Sequence, residues 1–316
     1  MVPRRAEASA PAKLILVGEH AVVHGYPALV LPFAGVRAFA ELAERPGPAQ
    51  LAAWGWQGAL EAVPEQLAGF AECVRATLAR LGEAPEGFVL RLSSEIAPGS
   101  GLGASAALAV AVVRALYAAF AQEPTHDDLT ALAAVAERHA HGNPSGVDVA
   151  GVLASGPIRF VRDTTPQPLD PGGALHLVVA DTGRPSATRK AVAALQQRLE
   201  LEDEGVRSQL VRLGELADEA CGALLAGDRR RLGQTLDQAQ TSLAALALSD
   251  DALDALVTAA RTHGALGAKL TGGGCGGCML ALAENAAHQD DLVRALEAAG
   301  ARQVWRHTVI QERIPS

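Results

Sequence analysis

Residues 97–116 read APGSGLGASAALAVAVVRAL and pass from three glycines in five positions straight into an apolar run. Glycine lets a backbone turn sharply and approach a ligand closely. The run that follows has helical character, and its pattern predicts a helix over about 103–121. A glycine loop feeding a helix leaves the first N–H groups unpaired at the positive end of the helix dipole. The junction therefore points to an anion, with phosphate the first candidate. Two phosphate cradles are excluded. A P-loop needs Lys after its last glycine, where Ala104 stands. A dinucleotide fingerprint needs its third glycine one place later, and no convincing acidic ribose ligand follows about 20 residues on. A glycine-rich turn before a buried helix remains the alternative.

The bulk numbers narrow the partners. The chain has 316 residues, 49% of them hydrophobic but only 3% aromatic, so its core must be built from Ala, Val and Leu. The formal net charge of −8 argues against nucleic acid as a partner, which calls for a basic face. A bound phosphate must then be held by local groups. The longest apolar stretch stops at Arg114, well short of the roughly 20 residues of a membrane span. The LILV run after Arg4 and Arg5 is too short for a signal peptide. Four cysteines make no disulfide framework in a chain of this length. These features suggest a soluble cytoplasmic protein with no membrane partner.

Short β-rich runs, PALVLPF and VRAFAEL, precede the strand GFVLRLSSE, which leads into the glycine loop. Helical patterns are expected at about 67–81, 103–121 and 127–141, then the strand LHLVVAD at 175–181. From Pro185 to Arg261 the texture is mostly helical and alanine-rich. GALGAKL and CMLALA read as strands flanking a second glycine loop, and a helix at about 287–299 and the strand RQVWRHTVI close the chain. Strands and helices do not alternate strictly, which favours an α+β class. The expected division is residues 1–175 and 176–316.

Three further stretches carry possible chemistry. In APAKLILVGEHAVVHGYPAL (10–29), Lys13 lies within an apolar strand, where an unpaired ammonium is costly. Glu19, His20 and His24 follow, but no H-E-x-x-H metal motif is formed. In ERHAHGNPSGVDVAGV (137–152), the NPSG turn would start a helix with Asp148 in its first turn. The dipole there keeps a carboxylate ionised, and plain dipole complementation is the simpler reading. In GAKLTGGGCGGCML (267–280), Cys275 and Cys278 resemble half a zinc site or a redox pair, although a backbone-shaped phosphate loop fits the five glycines better.

Together, PAKLILVGEHAVVHG, PGSGLGASAA and KLTGGGCGGC resemble, in order, the three signature motifs of the GHMP small-molecule kinases. They span the chain almost end to end. GEHAVVHGYPAL and HGNPSGVD are most similar to the mevalonate kinase branch of that family. The resemblance implies a two-domain fold, with an N-terminal domain like ribosomal protein S5 domain 2 and a ferredoxin-like C-terminal domain. It implies ATP and Mg²⁺ as cofactors, and phosphoryl transfer to the C5 hydroxyl of (R)-mevalonate. Other acceptors in the family, such as phosphomevalonate or mevalonate at another hydroxyl, and a non-catalytic metabolite sensor are the alternatives. Homodimers are common in the family.

The resemblance also implies roles. Pro98, Gly99, Ser100, Gly101, Leu102, Gly103, Ala104 and Ser105 would wrap the nucleotide phosphates. Ser105 and Glu137 would hold Mg²⁺. Asp148 would be the base, paired with Lys13. Glu19, His20 and Thr188 would lie near the acceptor, and Gly272 and Gly273 would shape the third-motif loop. Many family members carry Ser-Ser where this chain has Ala104-Ser105, so only Ser105 receives the Mg²⁺ role.

Overall fold

The computed structural model describes residues 4–141, 144–186 and 188–310, without the side chains of 140–141 and 188–190. The chain forms two compact units that interleave in sequence. The first draws on residues up to Ala12, 36–97 and 103–153, and the second on 13–35, 98–102 and 154 onward. Up to Leu153 the elements are β1 (Ala6–Val17), β2 (Ala28–Pro48), β3 (Gln50–Ala53), β4 (Trp56–Ala59), α1 (Glu65–Leu81), β5 (Glu86–Ser94), α2 (Ala104–Ala119), α3 (His126–His141) and α4 (Val147–Leu153). Then come β6 (Ile158–Phe160), β7 (Gln167–Pro168), β8 (Leu175–Asp181), α5 (Thr188–Glu200), α6 (Glu204–Leu225), α7 (Arg229–Ala245), α8 (Asp251–Thr262), β9 (Gly267–Thr271), β10 (Cys278–Ala283), α9 (Ala286–Ala298) and β11 (Gln303–Val309).

In the first unit β5 pairs antiparallel with β2, from Ala38↔Ser94 to Glu44↔Phe88, and parallel with β3. The β3–β4 hairpin turns through Trp54 and Gly55, both at positive φ. Such a two-residue turn matches the right-handed twist of its strands. Sequence pattern does not reveal this hairpin, because its alanine-rich strands lack the β-branched signal. The separate strands expected at 27–33 and 36–42 are one element, since β2 runs unbroken across both. Helix α2 packs against α1, α3, α4 and β5. It is buried on every side from Ala106 to Val113, which explains an apolar run without a polar face.

The second unit has a four-stranded sheet in the order β11-β8-β10-β9, with every neighbour antiparallel. Helices α5–α8 connect β8 to β9, and α9 connects β10 to β11. This β-α-β-β-α-β order is ferredoxin-like. Helix α7 lies on β9, where Asp237 Oδ1 accepts Ala268 N at 3.0 Å and Gln240 Oε1 accepts Leu270 N at 2.9 Å. These side chains satisfy the N–H groups of an edge strand. No helix among the described residues is long and apolar enough to cross a membrane.

Candidate active site

The first-motif strand supplies Lys13. It is 3% exposed, and its Nζ donates to Gly101 O at 3.0 Å while its backbone N donates to Leu102 O at 3.0 Å. The lysine buried in an apolar strand thus holds the second-motif loop. Two residues on, Ile15 is bracketed by Thr271, whose Oγ1 donates to Ile15 O at 3.0 Å and accepts from Ile15 N at 3.3 Å. A threonine hydroxyl, both donor and acceptor, replaces a strand neighbour here.

The two glycine loops of the second unit touch backbone to backbone. A Cβ at Gly101 would lie 2.9 Å from Thr271 O, and one at Gly272 would lie 2.6 Å from Gly101 Cα. Both residues have positive φ, +81° and +83°, so glycine is required for space and for conformation. Around them, Cys278 N donates to Ser100 O at 3.1 Å, Ser186 N to Gly99 O at 2.7 Å, and Ser186 Oγ to Gly274 O at 2.6 Å. Pro98 and Gly99 are exposed, while Ser100 and Leu102 are buried. The sequence placed these loops far apart in the chain; contact between them explains why both are glycine-rich.

Glu19 and His20 follow β1. Both are buried, at 1% and 8% exposure. His20 Nε2 lies 3.1 Å from Gly273 O. A carbonyl only accepts, so this nitrogen carries the proton. Burial lowers the His20 pKa to about 4, against the raising effect of that bond, which keeps the ring neutral. Glu19 Oε1 is ion-paired to Lys269 Nζ, which also donates to Leu270 O at 2.5 Å. Burial pushes the Glu19 carboxyl up and the Lys269 ammonium down, and the partner's charge opposes each shift. Lys269 was missed as a site residue. Its signal was a lysine in a strand otherwise apolar, the same signal that singled out Lys13.

In the first unit, the three helices that carry Ser105, Glu137 and Asp148 pack on one another. Ser105 is half-buried in the first turn of α2. The residue before that helix, Gly103, is left-handed, and no side chain caps the helix start. Its leading N–H groups are therefore available to an anion. Glu137 on α3 is 3% exposed. Asp148 stands half-buried in the first turn of α4. One hydroxyl, one buried carboxylate and an uncapped helix N-terminus fit Mg²⁺ with phosphate, because Mg²⁺ takes few protein oxygens and keeps waters. The side chain of Thr188 lies outside the described residues. The expected pairing of Lys13 with Asp148 joins residues of different units and stands as a proposal.

Residues 68–156 match the GHMP kinases N-terminal domain and residues 220–302 the GHMP kinases C-terminal domain. The mevalonate kinase of Aeropyrum pernix is 34% identical over 98% of this chain and 97% of its own. The chain belongs to the GHMP kinase family. Among solved structures, this GHMP kinase is similar to L. major mevalonate kinase in complex with R-mevalonate, with a TM-score of 0.82 and 30% identity over 97% of this chain and 96% of that one. It shares its fold with Streptococcus pneumoniae phosphomevalonate kinase in complex with phosphomevalonate and AMPPNP, with a TM-score of 0.82 at 19% identity over 95% of this chain and 99% of that one.

Cys275 and Cys278 lie beside the second loop. Cys278 is buried in β10, and burial raises its thiol well above the usual value. Cys275 is partly exposed, and its Sγ donates to Ala247 O at 3.5 Å. Both cysteines are free thiols.

Proposed function

We propose that this GHMP kinase transfers the ATP γ-phosphoryl group to the C5 hydroxyl of (R)-mevalonate. The observation that carries this reading is the 34% identity to a mevalonate kinase across 98% of the chain. Phosphoryl transfer is mostly positioning and charge neutralisation, and the site residues suit both tasks. The amides of the Gly99–Ser105 segment hold phosphate oxygens. Ser105 and Glu137 would hold Mg²⁺, which would offset phosphate charge. Asp148 accepts the proton of the acceptor hydroxyl. The Lys13 ammonium favours the developing alkoxide. A neutral His20 accepts a hydrogen bond from a hydroxyl at Nδ1 and offers no charge to a carboxylate. Glu19 faces the acceptor, and Gly272 and Gly273 shape the loop beneath the phosphates.

A coupled ADP-release assay with mevalonate, phosphomevalonate, homoserine and galactose side by side tests the reading. Mevalonate is expected to give the highest kcat/KM. A clear preference for any other acceptor overturns it.

A further inference from the structure

Residues 182–186, between β8 and α5, bond to both glycine loops of the second unit. Thr182 Oγ1 donates to Gly277 O at 2.7 Å, and Gly277 N donates to Arg184 O at 2.7 Å. Those two bonds hold the third-motif loop alone. Ser186 holds both loops. Its amide donates to Gly99 O at 2.7 Å in the second-motif loop, and its hydroxyl donates to Gly274 O at 2.6 Å in the third. The residue before it closes on the same place, since a Cβ at Gly99 would lie 3.0 Å from Pro185 Cβ. A run of glycines has no side chains to seat it by packing, and glycine loses the most freedom on ordering. Its carbonyls are the handles that remain, and Ser186 takes one from each loop.

We infer that Ser186 is a positioning residue, which fixes the second-motif loop against the third before nucleotide arrives. The inference deepens the proposed function and rests on it for the second-motif loop as the phosphate cradle. The amide and the hydroxyl belong to one residue, so neither loop can shift without straining the bond to the other. A cradle fixed in this way presents its amides with no ordering cost at the moment of binding. Removing the hydroxyl frees Gly274 O from this side chain and unties residue 186 from the third-motif loop. The two loops then move independently, and nucleotide binding has to restore their spacing. The effect falls on the nucleotide and spares the acceptor, because Gly99 opens the segment whose amides hold phosphate oxygens.

The test compares wild type, Ser186→Ala and Ser186→Thr, which keeps the hydroxyl. The acceptor is whichever of mevalonate, phosphomevalonate, homoserine and galactose the wild type turns over best. In Ser186→Ala the KM for ATP is expected to rise about 3–10-fold, the size of one neutral hydrogen bond, while the acceptor KM changes less than about 2-fold. Ser186→Thr is expected to restore the wild-type KM for ATP. Amide hydrogen exchange without nucleotide reads the link itself. In Ser186→Ala, residues 98–102 and 272–277 are both expected to exchange at least about 5-fold faster than in wild type. Faster exchange in 272–277 alone means that Ser186 does not join the loops, and overturns the inference. An unchanged KM for ATP reduces the serine to a structural role and overturns it as well, as do equal rises in both KM values. A threonine enzyme as impaired as the alanine one denies the hydroxyl its part and has the same force. If Ser186→Ala fails to fold, Ser186→Cys, which keeps the shape and weakens the donor, decides by the same KM split. A wild type that prefers an acceptor other than mevalonate counts against the proposed function only, because the variants are read on ATP and on the loops.

Discussion

Lowering the pH from about 7.5 to about 5 is expected to destabilise the folded chain through His20. Burial depresses its pKa from 6.5 to about 4. The unfolded chain therefore binds a proton at this residue between those values while the folded chain does not, so stability rises with pH across the window. The contribution is complete above the unfolded pKa and is lost as pH falls toward the folded one. Integrating the linkage gives a loss of about 2 kcal/mol by about pH 5, and about 3 kcal/mol once pH is below both values. His24 and Lys269 push in the same direction, and the hydrogen bond to the Gly273 carbonyl opposes them. Other groups also titrate, so the assay compares wild type with His20→Gln, whose amide keeps a donor for Gly273 O. Urea unfolding at both pH values reads the difference. Wild type is expected to lose about 2 kcal/mol more than the variant between the two conditions. An equal loss in both proteins means that His20 is not held neutral in the folded state, and the argument fails.

Asp148→Asn is expected to lower kcat by several orders of magnitude with little change in the KM for ATP; near-normal turnover removes the base from the mechanism. Gly101→Ala places a Cβ 2.9 Å from Thr271 O at a φ of +81°, and is expected to cost about 1–3 kcal/mol, read by thermal denaturation. At Gly267 a Cβ would lie 2.0 Å from Gly233 O, so Gly267→Ala is expected to unseat α7 from β9 and abolish a cooperative melt. Gly173→Ala, which would meet nothing within 4 Å, is the matched control and is expected to stay within about 0.5 kcal/mol of wild type.

Much of the fold was legible because it rests on local pattern. The helix expected over 67–81 is Glu65–Leu81, and that over 127–141 is His126–His141. The strands flanking the second glycine loop are Gly267–Thr271 and Cys278–Ala283. The failures have a common cause. Alanine and glycine carry little periodic signal, so the β3–β4 hairpin and the unbroken β2 went unseen.

Within the candidate site, the sequence alone determined which chemistry is available: a lysine where apolar residues surround it, a carboxylate at a helix start, and glycines where a backbone must approach a ligand. These follow from residue type and near neighbours. Tertiary structure alone decided how the second unit's pieces meet. Residues 88 apart in the chain bring Lys13 Nζ to Gly101 O, and residues 250 apart join Lys269 to Glu19. No local pattern encodes such pairs, because their spacing is set by how strands and loops pack and not by the period of any helix or strand.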